Sequence, residues 1–164
     1  MFRSTTLAAA FFVVIAPFAA TAQGAQVAFG STQQNSTLPV EVTADDLAVD
    51  QGSGSAVFTG NVTIGQGEMR LSAPRVQVKY LEDQSGIESL SATGGVTLVS
   101  GPDAAEASRA DYDITTGVIR MQGDVLLVQG ANSLTAETMF VDTRAGTARM
   151  SGRVKTVIQP QDGN

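Results

Sequence analysis

Two short phrases alternate along this chain, and their constant spacing constrains its fold more than any other feature. One phrase centres on an alanine followed three and five residues later by apolar side chains, as in Ala136, Met139 and Val141, and the other reads Gly-x-Val, as at Gly123. Each glycine lies 13 residues before the next alanine (60 to 73, 94 to 107, 123 to 136), and the whole unit takes 29 residues.

One unit carries a five-residue insertion within 81–86, a charged, Gly-containing stretch suited to a surface loop. A repeat of this length is typical of stacked units that share one continuous core. The four copies centre on Ala44, Ala73, Ala107 and Ala136, and on Gly60, Gly94, Gly123 and Gly152.

Each unit has the two-residue periodicity of β-strands. After Gly60, for example, Val62 and Ile64 alternate with polar residues. We expect an all-β fold with two strands per unit and eight main strands, joined by turns rich in Gly and Asp. Between each alanine and the next apolar position the alternation slips by one residue, which predicts a bulge or a bend. A sheet that bends at the same place in every unit folds over into two facing layers.

The ends of the chain differ from the repeats in composition. Residues 1–22 read as a cleaved signal peptide, because Arg3 precedes an apolar run and Ala20-Thr21-Ala22 fits the cleavage rule. A retained membrane anchor is the alternative, but the apolar run of 14 residues at 7–20 is shorter than the roughly 20 residues that span a bilayer. The remaining divisions are a flexible polar lead-in over 23–38, the repeat domain over 39–158 and a polar tail over 159–164.

Composition excludes several functions. The chain has no Cys and no His, which rules out thiol nucleophiles, zinc fingers and His-based triads. Its formal net charge is −6 without any basic run, so it is poorly suited to nucleic acid. The adjacent Asp45 and Asp46 would point to opposite faces of a strand, and Asp111 and Asp113 lie on the face away from the apolar columns. We therefore expect neither a catalytic site nor a metal or cofactor.

The repeated phrases x-[Thr/Ser]-Ala-x-x-apolar-x-apolar-Asp and apolar-x-Gly-x-Val-x-apolar, following an Ala-x-Ala leader, resemble the LptA/OstA-like family of periplasmic lipopolysaccharide-transport bridge proteins. The resemblance covers about residues 39–158. It implies an open β-jellyroll of two facing, V-shaped antiparallel sheets whose interior carries the acyl chains of lipopolysaccharide, with energy from an inner-membrane ATPase. It also implies head-to-tail stacking on copies of itself, on an inner-membrane-anchored jellyroll protein, and on the periplasmic domain of the outer-membrane β-barrel translocon.

The apolar columns of the repeat would line the path of the acyl chains in such a jellyroll. A closed sandwich core shows the same alternation, so that alternative stays open, as does a mixture of packed and open units. The predicted lipid-binding groove consists of Leu47, Val49, Phe58, Val62, Ile64, Val76, Val78, Val96, Leu98, Tyr112, Met121, Val125, Leu127, Met139, Val141, Met150 and Val154.

The two ends of an unclosed stack leave unpaired backbone N–H and C=O groups. Such edges either dock on neighbouring jellyrolls by β-augmentation or are blunted by charge, here by Glu41, Arg153 and Lys155. Their β-branched content favours docking. The predicted docking residues are Val40, Val42, Val154, Thr156 and Val157.

The interpretation that accounts for these features together is a non-enzymatic lipopolysaccharide carrier, exported to the periplasm by a cleaved signal peptide. Two alternatives remain. An inner-membrane-anchored sibling jellyroll of the same pathway would retain residues 1–22. A structural β-solenoid that carries no lipid would use the apolar columns only as a core.

Overall fold

The computed structural model describes residues 25–30 and 38–160, and every regular element in these ranges is a β-strand. Within the same ranges, no helix has the length and apolar character that a membrane crossing requires. The predicted leader lies outside the described residues. The strands are β1 (Ala25–Ala28), β2 (Glu41–Thr43), β3 (Asp46–Asp50), β4 (Ser55–Gln66), β5 (Met69–Tyr80), β6 (Ile87–Ser100), β7 (Asp103–Asp113), β8 (Val118–Gln129), β9 (Asn132–Asp142), β10 (Thr147–Ser151) and β11 (Lys155–Val157).

All eleven strands belong to one antiparallel sheet, and strands β4 to β10 pair in sequence order. Each long strand changes register near its middle, for instance between Gln122 and Val125 of β8. The sheet therefore folds into two layers. The first layer contains β2, the second halves of β4, β6 and β8, the first halves of β5, β7 and β9, and β11. The second layer contains β3, the other halves of β4 to β9, then β10 and β1.

The Gly-x-Val phrase supplies the bend. Gly123 has φ +80° and Asp124 has φ +48°, and each of the other three phrases also has two successive residues with positive φ. Two successive left-handed residues displace the strand from its pleat, which produces the bulge that the slipped alternation predicts. Backbone hydrogen bonds hold the bend to the neighbouring alanine phrase, as in Glu137 N–H to Gly152 O at 2.9 Å. Each unit of the sequence repeat therefore contributes a bend as well as its strands.

Hairpin turns close the layers on the side opposite the bends, and aspartates shape them. Asp113 Oδ1 accepts a hydrogen bond from Thr116 N–H at 2.9 Å, and Asp142 Oδ1 accepts one from Ala145 N–H at 2.9 Å. These short-range bonds are the reason that Asp and Gly recur at the turns. The predicted surface loop at 81–86 joins β5 to β6, and Leu81 to Ser85 are exposed.

The first and last predicted strands differ from the others. Each is divided at its bend, into β2 and β3 at one end of the stack and β10 and β11 at the other. Residues 25–28, which the sequence places in a flexible lead-in, instead form β1 and pair with β10. The lead-in prediction is therefore wrong for this segment, because Phe29 buries its side chain in the core and carries the preceding residues onto the sheet.

Candidate functional site

The inner faces of the two layers meet in one apolar core, and most of the predicted groove residues lie there. Thirteen of the seventeen are buried, and Phe58 is half-buried. In this structure the two layers are packed together along the middle of the stack. The buried members of the predicted groove are Val62, Ile64, Val76, Val78, Val96, Leu98, Tyr112, Met121, Val125, Leu127, Met139, Val141 and Met150.

The other three predicted groove residues are exposed, at the two ends of the stack. Leu47 and Val49 of β3 are 56% and 60% exposed. Leu47 pairs with Phe58, and Val49 pairs with Ala56, which is buried. Directly paired residues share a face, so β3 continues the inner apolar face to the end of the second layer, where its side chains are exposed. The interior is therefore accessible at the β2/β3 end.

The opposite end of the first layer is formed by β11. Thr156 pairs with buried Leu134, so it lies on the inner face, whereas Val157 pairs with Ser133 on the outer face. Val154 is 38% exposed and Val157 is 45% exposed. At the β2 end, Val42 pairs with Ile64. Val40 and Val42 are both half-buried, so the docking residues predicted at that end pack against the core while those on β11 do not.

A hydrogen bond joins the two layers on the side of the hairpin turns. Tyr112 Oη–H, in the second layer, donates to Gln66 Oε1, at the end of the first layer, at 2.7 Å. Both residues are buried. Gln66 Nε2 also donates to the Leu38 carbonyl oxygen at 3.0 Å. Burial raises the pKa of the Tyr112 phenol. We call this side of the jellyroll, marked by Gln66, Asp103 and Tyr112, the seam.

The sequence does not reveal that the seam is held by polar groups. Of the residues at the seam, the sequence singles out only Tyr112, and only as a lining residue of the groove. A polar side chain at an inward-facing position, such as Gln66 two residues after Ile64, was the available signal. Its meaning depends on which residue of the other layer faces it, and strand alternation carries no information about that.

The carboxylates on the outer faces have structural partners. Asp111 accepts hydrogen bonds from Arg109 Nη2 at 2.7 Å and from Ser91 Oγ at 2.6 Å. The bond with Arg109 lowers the pKa of Asp111. Asp45 accepts a hydrogen bond from Asn61 Nδ2 at 2.8 Å, which holds a bend. These contacts orient strands and bends, and none of them joins two carboxylates in an acid–base pair.

Known proteins resemble this chain in both sequence and fold. Residues 41–147 match the family described as LptA/(LptD N-terminal domain) LPS transport protein. An uncharacterized protein of Rhizobium meliloti (strain 1021) is 27% identical over 112 residues, and the match spans 64% of this chain and 60% of that protein. The crystal structure of LptH, the LptA-homologous periplasmic component of the lipopolysaccharide transport device from Pseudomonas aeruginosa, matches with a TM-score of 0.69 and 22% identity. The match covers 77% of this chain and 99% of LptH. The predicted fold class is confirmed.

Proposed function

This chain belongs to the family of LptA and LptD N-terminal-domain lipopolysaccharide transport proteins, and from that membership we propose that it is a periplasmic, non-enzymatic carrier. It forms part of a bridge that moves lipopolysaccharide from the inner to the outer membrane, with the acyl chains between the two layers. Its partners are an inner-membrane-anchored jellyroll protein and the periplasmic domain of the outer-membrane β-barrel translocon. Residues 1–22 serve as the export signal and are removed.

The observation that carries this proposal is an apolar inner face that continues past the packed core to exposed positions at the end of the stack. Exposing one methylene group to water costs a free energy of about 0.8 kcal/mol, so exposing an acyl chain of roughly twelve methylene groups costs on the order of 10 kcal/mol. Leu47 and Val49 offer an acyl chain its first contacts at the β2/β3 end. The buried columns beyond them repeat similar side chains in every unit, which gives a shallow energy profile along the stack.

The layers are packed in this structure, so an acyl chain enters only as they move apart. The hairpin side is the one that opens, because continuous strands join the layers at the bends. Methionines on the inner face, such as Met121 and Met139, suit this role because their unbranched side chains adapt to irregular alkyl surfaces. The energy for movement comes from a partner.

Photocrosslinking tests whether the inner face holds lipid. A photoreactive amino acid at Phe58, Ile64 or Val125 is expected to form adducts with lipopolysaccharide in cells. The same group at Thr63 or Leu126 provides the matched control, since these neighbours in the same strands point to the outer face. Absence of adducts at all three inner positions, or equal adducts at inner and outer positions, would count against the carrier and favour the lipid-free solenoid.

The edges of the first layer provide the proposed docking surface. β11 pairs with β9 along one side only, and Lys155, Thr156 and Val157 are all exposed. A neighbouring jellyroll would add its own edge strand here. The residues we assign to these two edges are Val40, just before β2, and Val42 within it, and Val154, Thr156 and Val157 at the other end.

Replacing Val157 with proline is expected to weaken docking to the next jellyroll while the fold persists. Proline removes a backbone donor and is poorly tolerated inside a sheet, whereas β11 is short and exposed, so little core packing depends on it. Pull-down with the partner jellyroll measures the effect, and Val157→Thr, which keeps the N–H group, is the control. Unchanged complex formation by Val157→Pro would remove β11 from the interface.

A further inference from the structure

The N-terminal strand β1 occupies the edge of the second layer at the end where the chain finishes. It pairs antiparallel with β10, with Ala25 opposite Met150 and Val27 opposite Ala148. The pairing is remote in sequence and covers the last strand of the repeat in this layer. The first layer has no such addition among the described residues, since β11 is its last strand at this end.

Three contacts and one buried aromatic ring hold β1 in place. Phe29 is 4% exposed and belongs to the core cluster. Its backbone N–H donates to the Gly146 carbonyl at 3.0 Å. Gly30 N–H donates to Asp103 Oδ2 at 2.7 Å, across the seam in the first layer. Gln129 Nε2 donates to the Ala28 carbonyl at 2.7 Å. The segment thus ties the second layer to the first at this end.

The directions of the strands indicate which strand of a second copy could pair with β10 if β1 were absent. From β3 to β10 the second layer has eight alternating segments, so β3 and β10 run in opposite directions, and β1 runs in the same direction as β3. The β3 strand of a second copy would therefore pair antiparallel with a bare β10 but parallel with β1. In the first layer β2 and β11 also run in opposite directions, so β2 of a second copy suits the free edge of β11.

The number of strands leads to the same conclusion. With β1 in place the second layer has nine segments and the first layer eight. A neighbour that continues both layers with antiparallel pairing fits flush only when β1 has left. β1 therefore holds the place that β3 of the neighbour requires.

We propose that β1 and Phe29 form an intramolecular cap on β10, and that β3 of a second copy displaces this cap when two chains stack head to tail. In the displaced state Leu47 and Val49 of the incoming strand would lie opposite Met150 and Ala148, where Ala25 and Val27 now lie. Their burial offsets the loss of the short strand and of the Phe29 packing. The cap keeps single chains from polymerising without restraint, because an uncovered sheet edge is a template for self-association. The inference rests on the proposed bridge function for the idea that copies stack.

A disulfide lock tests the cap directly. Gln26 and Arg149 are directly paired, their side chains are exposed, and the chain has no cysteine of its own. Paired positions of antiparallel strands lie within disulfide reach. The oxidised Gln26→Cys/Arg149→Cys protein is expected to stay monomeric in sedimentation velocity across a concentration series. The same protein with reductant is expected to form end-to-end oligomers.

Deletion of residues 25–30 removes the cap and is therefore the opposite test to the disulfide lock. The shortened chain is expected to assemble at about tenfold lower concentration than the full chain. This is the change expected if the cap is open in about one-tenth of the molecules, because only the open molecules can bind and the apparent affinity falls in proportion. Circular dichroism checks that the shortened chain is folded. Oxidised protein that assembles as readily as reduced protein would overturn the cap, and so would a folded deletion variant that stays monomeric wherever the full chain does.

A crosslink identifies the incoming strand even where the deletion impairs folding. With Leu47 opposite Met150, Ala48 lies opposite Arg149, so separate Ala48→Cys and Arg149→Cys proteins are expected to form a mixed disulfide. Gln122→Cys, on the interior strand β8, replaces Arg149→Cys in the control. Equal yields in the two mixtures would exclude β3 as the displacing strand. None of these measurements contains lipid, so their failure leaves acyl-chain carriage standing, and the absence of lipopolysaccharide adducts leaves the cap standing.

Discussion

Gly123→Ala is expected to lower the free energy of unfolding by about 2–5 kcal/mol. Gly123 has φ +80°, where an L-residue costs about 1–2 kcal/mol. A Cβ atom there would also lie 2.8 Å from Ser108 Oγ and 2.9 Å from Ser108 Cβ. Relief of that contact requires the strands to move, at about 1–3 kcal/mol. Urea denaturation followed by circular dichroism measures the sum.

Gly130→Ala is the matched control for this effect. Gly130 also has a positive φ, +58°, but a Cβ atom there would meet nothing within 4 Å. Its loss of stability should therefore contain only the backbone cost, about 1–2 kcal/mol. Adding Ser108→Gly to Gly123→Ala should recover part of the difference. Equal losses for the two alanine variants would show that close packing at the bend does not stabilise the fold.

Tyr112→Phe is expected to lower the free energy of unfolding by about 1–3 kcal/mol. The substitution removes the hydrogen bond between Tyr112 Oη and Gln66 Oε1 while the ring stays in the core. The Gln66 side chain remains buried and loses a donor, which is the costly way to break a hydrogen bond. Because this bond joins the layers at the seam, the variant should also give more lipopolysaccharide adducts from a photoreactive group at Ile64.

The other tyrosine, Tyr80, supplies the control. It is half-buried, so Tyr80→Phe should change stability less. It also leaves Tyr112 as the single phenol of the chain, whose ionisation can be followed by absorbance. Unchanged stability and unchanged adduct yield in Tyr112→Phe would show that the bond does not hold the seam closed.

The pH dependence follows from the raised pKa of Tyr112. Since the folded pKa lies above the unfolded value of about 10, the stabilising effect of the neutral phenol is complete below pH 10 and is lost as pH rises through the folded pKa. In the Tyr80→Phe protein the phenolate absorbance should therefore appear above the pH at which a free tyrosine ionises. Titration at the ordinary pH would contradict the burial of this hydroxyl in solution.

Four residues show what the alternation of apolar and polar residues can and cannot predict about burial. The spacing after Gly123 predicts that Val125 and Leu127 lie on the inner face, and both are buried. Leu47 and Val49 follow the same pattern and are exposed, on the last strand of the second layer at the β2/β3 end. Alternation identifies the face on which a side chain lies. It cannot say whether another layer covers that face.

Phe29 is the clearest example of a core residue that the sequence pattern does not identify. It is a single aromatic residue in a polar stretch, and Val27, two residues before it, makes too short a pattern to predict a strand. Its role depends on pairing between β1 and β10, more than a hundred residues apart. Such a contact follows from the shape of the folded chain rather than from any local preference.

The amino-acid sequence alone determined the all-β class, the repeat and the position of each bend, because alternation and left-handed glycines act over a few neighbouring residues. Only the tertiary structure decided which apolar columns are covered, which polar groups join the layers at the seam, and which edge carries β1. Those features depend on contacts between segments that are distant in the chain, and their energies arise only once the two layers face each other.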